Sequence, residues 1–353
     1  MRDKAIALLV VGVFLMTSSV CIAMTGVDSD ATAAYSVSDD RSPATTLEFD
    51  VPFDYVVSLG LGFTSAIKQI GKESKLILVD TGSKDEVSGV PSIATTDYAD
   101  VAQKIDVIKA EKGIDSKDRI LIITYSYTSA AKFNALSDNG YNKVLGFYPK
   151  SYDDVANYVE KMETLLGAEH TKSKEMKDTA KTIVDKMGGY EGTKTNAIYL
   201  SYSSSAFKIA NKSSIAVSMF EKCGAVNAGY DSGKSSSYVP DEGIGAFLTA
   251  KINSKALDVI FLDGNYPGTA ADFISEQSLT DKDVKVYKLE KTWNSYTPDT
   301  MDGINYISKC CYPSVFGNPD GDDEEPFNYT TIIIVVVAAV AAIGIAFFII
   351  RRH

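Results

Sequence analysis

The sequence predicts an α/β protein of two lobes with central, mostly parallel sheets, joined by one long spanning helix and followed by a C-terminal transmembrane helix. Three observations carry the two-lobe reading. Short apolar, β-branched runs alternate with helix-like stretches in both halves, the pattern of strands linked by crossover helices. A segment from Tyr152 to Met187, almost free of strand signals, separates the halves. Within it Met176, Ala180, Ile183, Val184 and Met187 recur at helical spacing before Gly188-Gly189 stops the helix.

Taken in order, Arg2 and Lys4 precede the apolar run Ala5 to Val20, and small residues near Ala23 offer a cleavage site, so residues 1–23 read as a signal peptide. Acylation at Cys21 is the alternative, but Val20 stands where a small residue is wanted. Residues 24–46, rich in Ser, Ala, Thr and Asp, read as a disordered tether. Residues 47–150 form the N-terminal lobe, with strands at Tyr55 to Leu59, Leu76 to Val79, Ile120 to Thr124 and Val144 to Phe147. Residues 151–189 are the inter-lobe segment, with a helix of about 18 residues starting near Thr171. Residues 190–316 form the C-terminal lobe, with strands at Ala197 to Ser201, Val259 to Leu262 and Val284 to Leu289. Residues 317–330 contain NPDGDDEEP, a self-repelling acidic linker. Residues 331–350 hold nineteen consecutive apolar residues, Ile332 to Ile350. As a helix that run spans roughly 28 Å, which predicts a membrane anchor. Arg351 and Arg352 place the tail, 351–353, in the cytoplasm by the positive-inside preference, leaving the lobes extracellular on a single-pass membrane protein.

Charge bounds the partners. The chain has 35 Lys and Arg against 46 Asp and Glu. Without Arg2, Asp3, Lys4, Arg351 and Arg352 it retains 31 basic and 45 acidic side chains, a formal −14. Such a surface repels phosphate backbones, so nucleic acid is not an expected partner. Asn211-Lys212-Ser213 and Asn328-Tyr329-Thr330 fit the glycosylation pattern.

Several segments carry a family resemblance. VVSLGLGFTSAIKQIG (Val56 to Gly71) resembles the first strand and helix of the periplasmic-binding proteins of ABC importers for iron–siderophore, haem and cobalamin. Ser58, Leu59, Thr64, Ile70 and Gly71 match that pattern; Leu61 stands where Pro is usual and Ser65 where Glu is usual. KVLGFYPKSYDDV (Lys143 to Val155) and METLLG (Met162 to Gly167) resemble the approach to that family's spanning helix. NKSSIAVSMFEKCGAVNAGYD (Asn211 to Asp231) is similar to its second-lobe helix, and ALDVIFLDGNY (Ala256 to Tyr266) to a late strand, with Leu257 replacing Pro. The resemblance covers roughly Val51 to Pro313 and implies two lobes with a ligand between them and a permease with its ATPase as partners.

In such a plan ligands sit at loops after the C-terminal ends of strands. Those loops carry Tyr125 and Tyr127, Tyr202 and Phe207, Tyr266, and Trp293 with Tyr296, while Tyr238 lies in a Ser-rich loop. Aromatic side chains give stiff contact area with a polar tip, suited to a bulky metal chelate. The ordinary alternative is that these rings fill half-buried loop positions. No cofactor or metal site is expected: between the terminal segments the only histidine is His170. Phenolate ligation of ferric iron by Tyr125 and Tyr127 with Asp263 remains an alternative. No nucleophile–base motif points to an enzyme. The resemblance also implies one acid on each lobe that meets the permease, matching Glu242 in the second lobe and Asp97 or Asp100 in the first. Cys223, near a helix end in an extracellular lobe, is expected to form a disulfide with one of Cys310 and Cys311, Cys310 being preferred, with the other left free or paired between chains.

The function expected is a membrane-anchored extracellular binding protein that captures an iron complex or a corrinoid. The rival is a surface interaction or adhesion module that keeps the fold without transport. A two-lobe metal-cluster enzyme would need cysteines at the cleft, which Cys310-Cys311 do not supply.

Overall fold

The structure, a computed structural model, describes residues 35–319 apart from 235. In chain order the first half contains β1 (Tyr35–Ser38), β2 (Thr46–Phe49), β3 (Tyr55–Ser58), α1 (Leu61–Gln69), β4 (Leu76–Asp80), β5 (Ser92–Ile93), α2 (Tyr98–Glu111), β6 (Ile120–Tyr125), α3 (Ala130–Asp138) and β7 (Val144–Phe147). Two helices follow, α4 (Tyr152–Leu166) and α5 (Thr171–Met187). The second half contains β8 (Asn196–Ser203), β9 (Ala206–Ala210), α6 (Ile215–Lys222), β10 (Val226–Asn227), β11 (Ser237–Tyr238), α7 (Ile244–Asn253), β12 (Val259–Leu262), α8 (Ala270–Glu276), β13 (Lys285–Lys288), α9 (Thr300–Cys311) and α10 (Pro313–Phe316).

The first sheet runs β5-β4-β3-β6-β7, parallel throughout. The run Ile120–Ile123 is buried on both faces, as expected of a strand covered by helices above and below. The second sheet runs β11-β9-β8-β12-β13, with β10 also pairing β8. There β8, β12 and β13 are parallel, whereas β8 and β9 form an antiparallel hairpin. One hydrophobic cluster runs through both halves, from Val56 and Phe63 through Met162 and Met176 to Phe220 and Ile307. Separate clusters lie between the first sheet and α2, and between the second sheet and α7.

The spanning helix starts where the chain can satisfy its first amides. His170 provides no side-chain cap. Instead the buried carboxylate of Glu163, on α4, accepts from Lys172 N at 2.8 Å and Ser173 N at 3.3 Å. A negative group at a helix N-terminus satisfies orphan donors and the helix dipole together. Between the helices Gly167 adopts a left-handed conformation (φ 62°), and an added Cβ would lie 2.8 Å from Pro52. On α5 the residues Met176, Ala180 and Ile183 are buried, while Val184, expected on the same stripe, is exposed.

Three departures from the sequence reading are informative. Residues 35–49, read largely as tether, form the β1–β2 ribbon, with Val37, Leu47 and Phe49 turned inward. The ribbon docks on the edge of the first sheet: Asp40 N donates to Gly146 O at 2.9 Å. Buried Asp39 accepts from Gly146 N at 3.0 Å, Thr45 N at 2.8 Å, Arg41 N at 3.2 Å and Arg41 Nε. The second departure is Asn211, whose sequon the fold closes. Its side chain is fully buried, donates to Asp231 O at 2.7 Å and Lys234 O at 3.0 Å, and accepts from Asp231 N at 2.7 Å.

The third concerns the cysteines. No disulfide joins Cys223 to Cys310; Cys223, Cys310 and Cys311 are buried thiols in the second-lobe core. The physical reason is the partner Cys223 has: its sulfur lies 2.8 Å from Ser308 Oγ, one helical turn before Cys311, and 3.1 Å from Met219 O. Burial pushes the Cys223 thiol up to about 12 and the Cys311 thiol well above its ordinary value. Since the thiolate is the nucleophile, all three should resist iodoacetamide at about pH 8 in the native protein and react once denaturant opens the lobe. Peptide mapping checks this, and rapid native labelling of Cys223 would contradict the burial described.

Among the described residues no helix is long and apolar enough to cross a membrane. The expected signal peptide, the sequon at Asn328 and the apolar run Ile332 to Ile350 lie outside them.

Candidate functional site

Strand order locates the cleft. In the first sheet the connections turn one way from β3 through β4 to β5 and the other way from β6 to β7, so the switch point lies between β3 and β6. A crevice opens there beyond the C-terminal strand ends. β3 leads into Leu59, whose N donates to Ile123 O at 2.8 Å, then into Gly60 and α1. β6 ends at Tyr125. The two meet closely: a Cβ on residue 60 would lie 2.9 Å from the Tyr125 ring, so glycine lets the backbone pass under the tyrosine.

Around Tyr125 the rings form one cluster. Phe63, on α1, lies 4.8 Å from Tyr125 between ring centroids, and Tyr127 stacks on Tyr125 at 5.0 Å. Tyr148, just past β7, meets Tyr127 edge to face at 5.1 Å. The second lobe contributes Tyr296, stacked on Phe63 at 5.6 Å and edge-on to Tyr125 at 6.3 Å and Tyr148 at 6.4 Å. Residue 62 must be small for this approach, since a Cβ there would sit 3.2 Å from Tyr296. Beyond area burial, aromatic pairs of this kind contribute about 0.5–1.5 kcal/mol each. The cluster is thus a contact between the lobes. Polar contacts also join the halves: Tyr152 N donates to Ser218 Oγ at 2.7 Å, and Lys222 pairs with Asp153 at 2.9 Å.

The phenols are held neutral. Burial pushes Tyr125 up to about 12, with Tyr127 and Asp80 adding to the effect, and it raises Tyr127 and Tyr296 as well. They therefore present hydroxyls and ring faces, suited to stacking and hydrogen bonding. Asp263 does not join them: it accepts from Asn265 N at 2.9 Å within its own turn and from Tyr202 N, on β8, at 3.2 Å. Among the described residues no three His, Cys, Asp or Glu side chains gather as a metal site. His170 sits at the α4–α5 junction, 3.8 Å from Glu163, and the thiols lie in the second-lobe core. Among the described residues neither His170 nor a cysteine thiol lies beside the phenols.

Of the eight aromatics expected at the cleft, the structure brings Tyr125, Tyr127 and Tyr296 together. Tyr202, Phe207 and Tyr266 form a second group in the C-terminal lobe with Phe273, at centroid distances from 4.9 to 6.4 Å. They line a cavity of about 520 Å3 between the β8–β9 hairpin and α8, where Tyr266 donates to Glu276 at 2.9 Å. Tyr238 is on the edge strand β11 and donates to Gly229 O at 2.8 Å. Trp293 packs on Tyr306 at 5.0 Å and against Gly303 of α9, within the second lobe. Sequence reasoning missed Phe63 and Tyr148. The signal for both was position, since Phe63 opens the helix after β3 and Tyr148 immediately follows β7.

The three expected docking acids are exposed. Asp97 caps α2, accepting from Ala99 N at 2.8 Å, and Asp100 lies in the first turn. Glu242 stands in the turn before α7.

No protein-family model and no curated protein sequence matches the chain. Solved structures do share its fold. Helicobacter pylori CeuE with Ni(II) bound aligns at TM-score 0.59 and 17% identity, over 80% of this chain and 90% of that one. The periplasmic heme-binding protein RhuT of Roseiflexus sp. RS-1 aligns at 0.55 and 13%, over 74% and 99%. The periplasmic vitamin B12 binding protein BtuF of Vibrio cholerae aligns at 0.52 and 18%, over 73% and 96%. At these identities the likeness establishes the fold, a two-lobe α/β architecture. It also corrects the single-pass membrane localisation expected from the sequence. RhuT and BtuF are described as periplasmic, and among the described residues no helix is long and apolar enough to cross a membrane.

Proposed function

We propose that this chain is the substrate-binding protein of an ABC importer. In this reading it captures a bulky metal chelate, an iron complex such as a siderophore or haem, or a corrinoid, between its lobes. One observation carries the reading: rings from both lobes, Tyr125, Tyr127 and Tyr148 on one side and Tyr296 on the other, converge at the switch point of the first sheet. Flat phenol rings, part-buried at Tyr125 and Tyr296 and exposed at Tyr127 and Tyr148, match a ligand with extended faces and scattered hydrogen-bonding groups. That proteins sharing the fold are described as binding heme and vitamin B12 supports the same class. Glu242 and Asp97 or Asp100 are proposed to meet the permease, and Asp100 is the better first-lobe choice because the Asp97 carboxylate already caps α2. The group Tyr202, Phe207 and Tyr266 is proposed as the second-lobe wall of the same cleft.

The second reading, an interaction module without transport, draws on a different feature: the cluster rings contact one another across the lobes. One titration separates the two. Cobalamin, haem and ferric siderophores are added to the purified protein while the fluorescence of Trp293, the only tryptophan, is followed with calorimetry alongside. Saturable binding at about micromolar concentration or tighter by one class is expected. Silence from every class in a folded protein rejects the capture reading and favours the module.

A further inference from the structure

Beside the inter-lobe cluster lies a pocket of about 490 Å3 at the C-terminal ends of β6 and β7, walled on one side by α4. We propose that this pocket, lined by Asp40, Ser126, Tyr148, Lys150, Asn157 and Tyr158, is a polar subsite of the cleft. There the Tyr158 hydroxyl donates to a neutral acceptor, a carbonyl or amide oxygen on one arm of the ligand. The inference rests on the capture reading above and narrows its ligand to chelates that carry amides.

Tyr158 supplies the main argument. It is 2% exposed, and its hydroxyl is buried with no hydrogen-bond partner among the described residues. Buried polar atoms are almost always satisfied, because desolvating one without a bond is costly. On α4 this residue follows Val155 and precedes Val159 and Met162, all buried, and its ring packs on Phe63 at 5.7 Å and Phe147 at 5.1 Å. Phenylalanine would fill the same space without penalty, so the hydroxyl serves nothing within the protein's own packing. Its surroundings place it between pocket and cluster. Burial above all raises its pKa, and the next contributions come from Tyr125, from Asp40 on the pocket wall and from Tyr296. The group stays protonated and can donate.

The charges select the acceptor. Every acid of the lining is engaged: Asp40 accepts from Tyr148 N at 2.9 Å and pairs with Lys161 at 3.5 Å. Asp154 accepts from Lys150 N at 3.1 Å, and Glu160 pairs with Lys177 at 2.7 Å. Both lysines of the lining lie over rings, Lys150 over Tyr148 at 5.3 Å and Lys161 over Phe147 at 5.5 Å. Three acids against two lysines disfavour a carboxylate arm, whereas a neutral oxygen meets the phenol without repulsion. Tyr148 makes the pocket continuous with the cluster, since it also touches Tyr127 and Tyr296.

The test compares purified wild type with Tyr158→Phe and with Asn157→Trp, which fills the mouth from an exposed position. The probes are cyanocobalamin and ferrichrome, both amide-bearing, and haem, whose rim carries carboxylates. Wild type is expected to bind an amide-bearing probe, and Tyr158→Phe to bind it about tenfold or more weakly while its Tm stays level or rises. Asn157→Trp should weaken the same probe, which keeps the test independent of one variant. Equal affinity in Tyr158→Phe overturns the subsite and leaves the capture reading standing, as does wild type that binds haem alone. A fall in Tm for Tyr158→Phe also overturns it, by revealing an internal partner for the hydroxyl. Wild type that binds none of the probes overturns both.

Discussion

Asp39→Ala is expected to lower the unfolding free energy by about 3 kcal/mol and to loosen the β1–β2 ribbon. The carboxylate is buried and accepts four hydrogen bonds, two from the Arg41 backbone and side chain, one from Thr45 and one from Gly146 across the sheet edge. Removing it strands the Arg41 guanidinium, which otherwise spans the junction by donating to Val144 O at 3.0 Å and lying over Phe133 at 4.3 Å. Most of the cost is therefore the partner left behind. It follows that Asp39→Ala with Arg41→Ala should cost less than the sum of the two single changes. Urea unfolding of the three variants measures this. Strict additivity would show that the buried pair is not the unit that holds the ribbon.

Tyr296→Ala is expected to weaken chelate binding by about 100-fold, and Tyr296→Phe by no more than about threefold. Tyr296 is the second-lobe ring in the cluster, stacked on Phe63 and edge-on to Tyr125 and Tyr148, so truncation removes one face of the proposed site at a stroke. Its hydroxyl counts for less than its ring face, because stacking area supplies the contact. Titration of both variants with the chelate that wild type binds decides the matter. Equal losses in the two would move the weight from ring to hydroxyl, and no loss in either would take Tyr296 out of the site.

The parallel strands were legible because burial on both faces leaves an unmistakable apolar run: Val144–Phe147 and Val259–Leu262 coincide with the strands observed. The spanning helix was legible from Met176, Ala180 and Ile183 at helical spacing, although its start depends on Glu163, eight residues upstream of Thr171, which no local signal links to it. The β8–β9 hairpin was not read, since its turn uses Ser204 and Ser205 at positive φ (50° and 60°) where Asn or Gly would have announced it. The β1–β2 ribbon was hidden by its Ser- and Asp-rich composition, which resembles a linker until Asp39 is seen to be buried. In the site, Tyr125, Tyr127 and Tyr296 follow strands in sequence and could be named. Tyr158 could not, because its helical spacing with Val155 and Met162 marks it as ordinary core, and only the missing partner of its hydroxyl sets it apart.

The three core thiols carry a consequence for how the molecule is made. Small exported domains often need an oxidant before their cores will close. Here the Cys223 sulfur meets Ser308 Oγ and the Met219 carbonyl, and no disulfide joins the three cysteines of the second-lobe core. Among the described residues no disulfide ties the lobe shut, so refolding of the second lobe is expected to proceed to the same yield with or without a reductant.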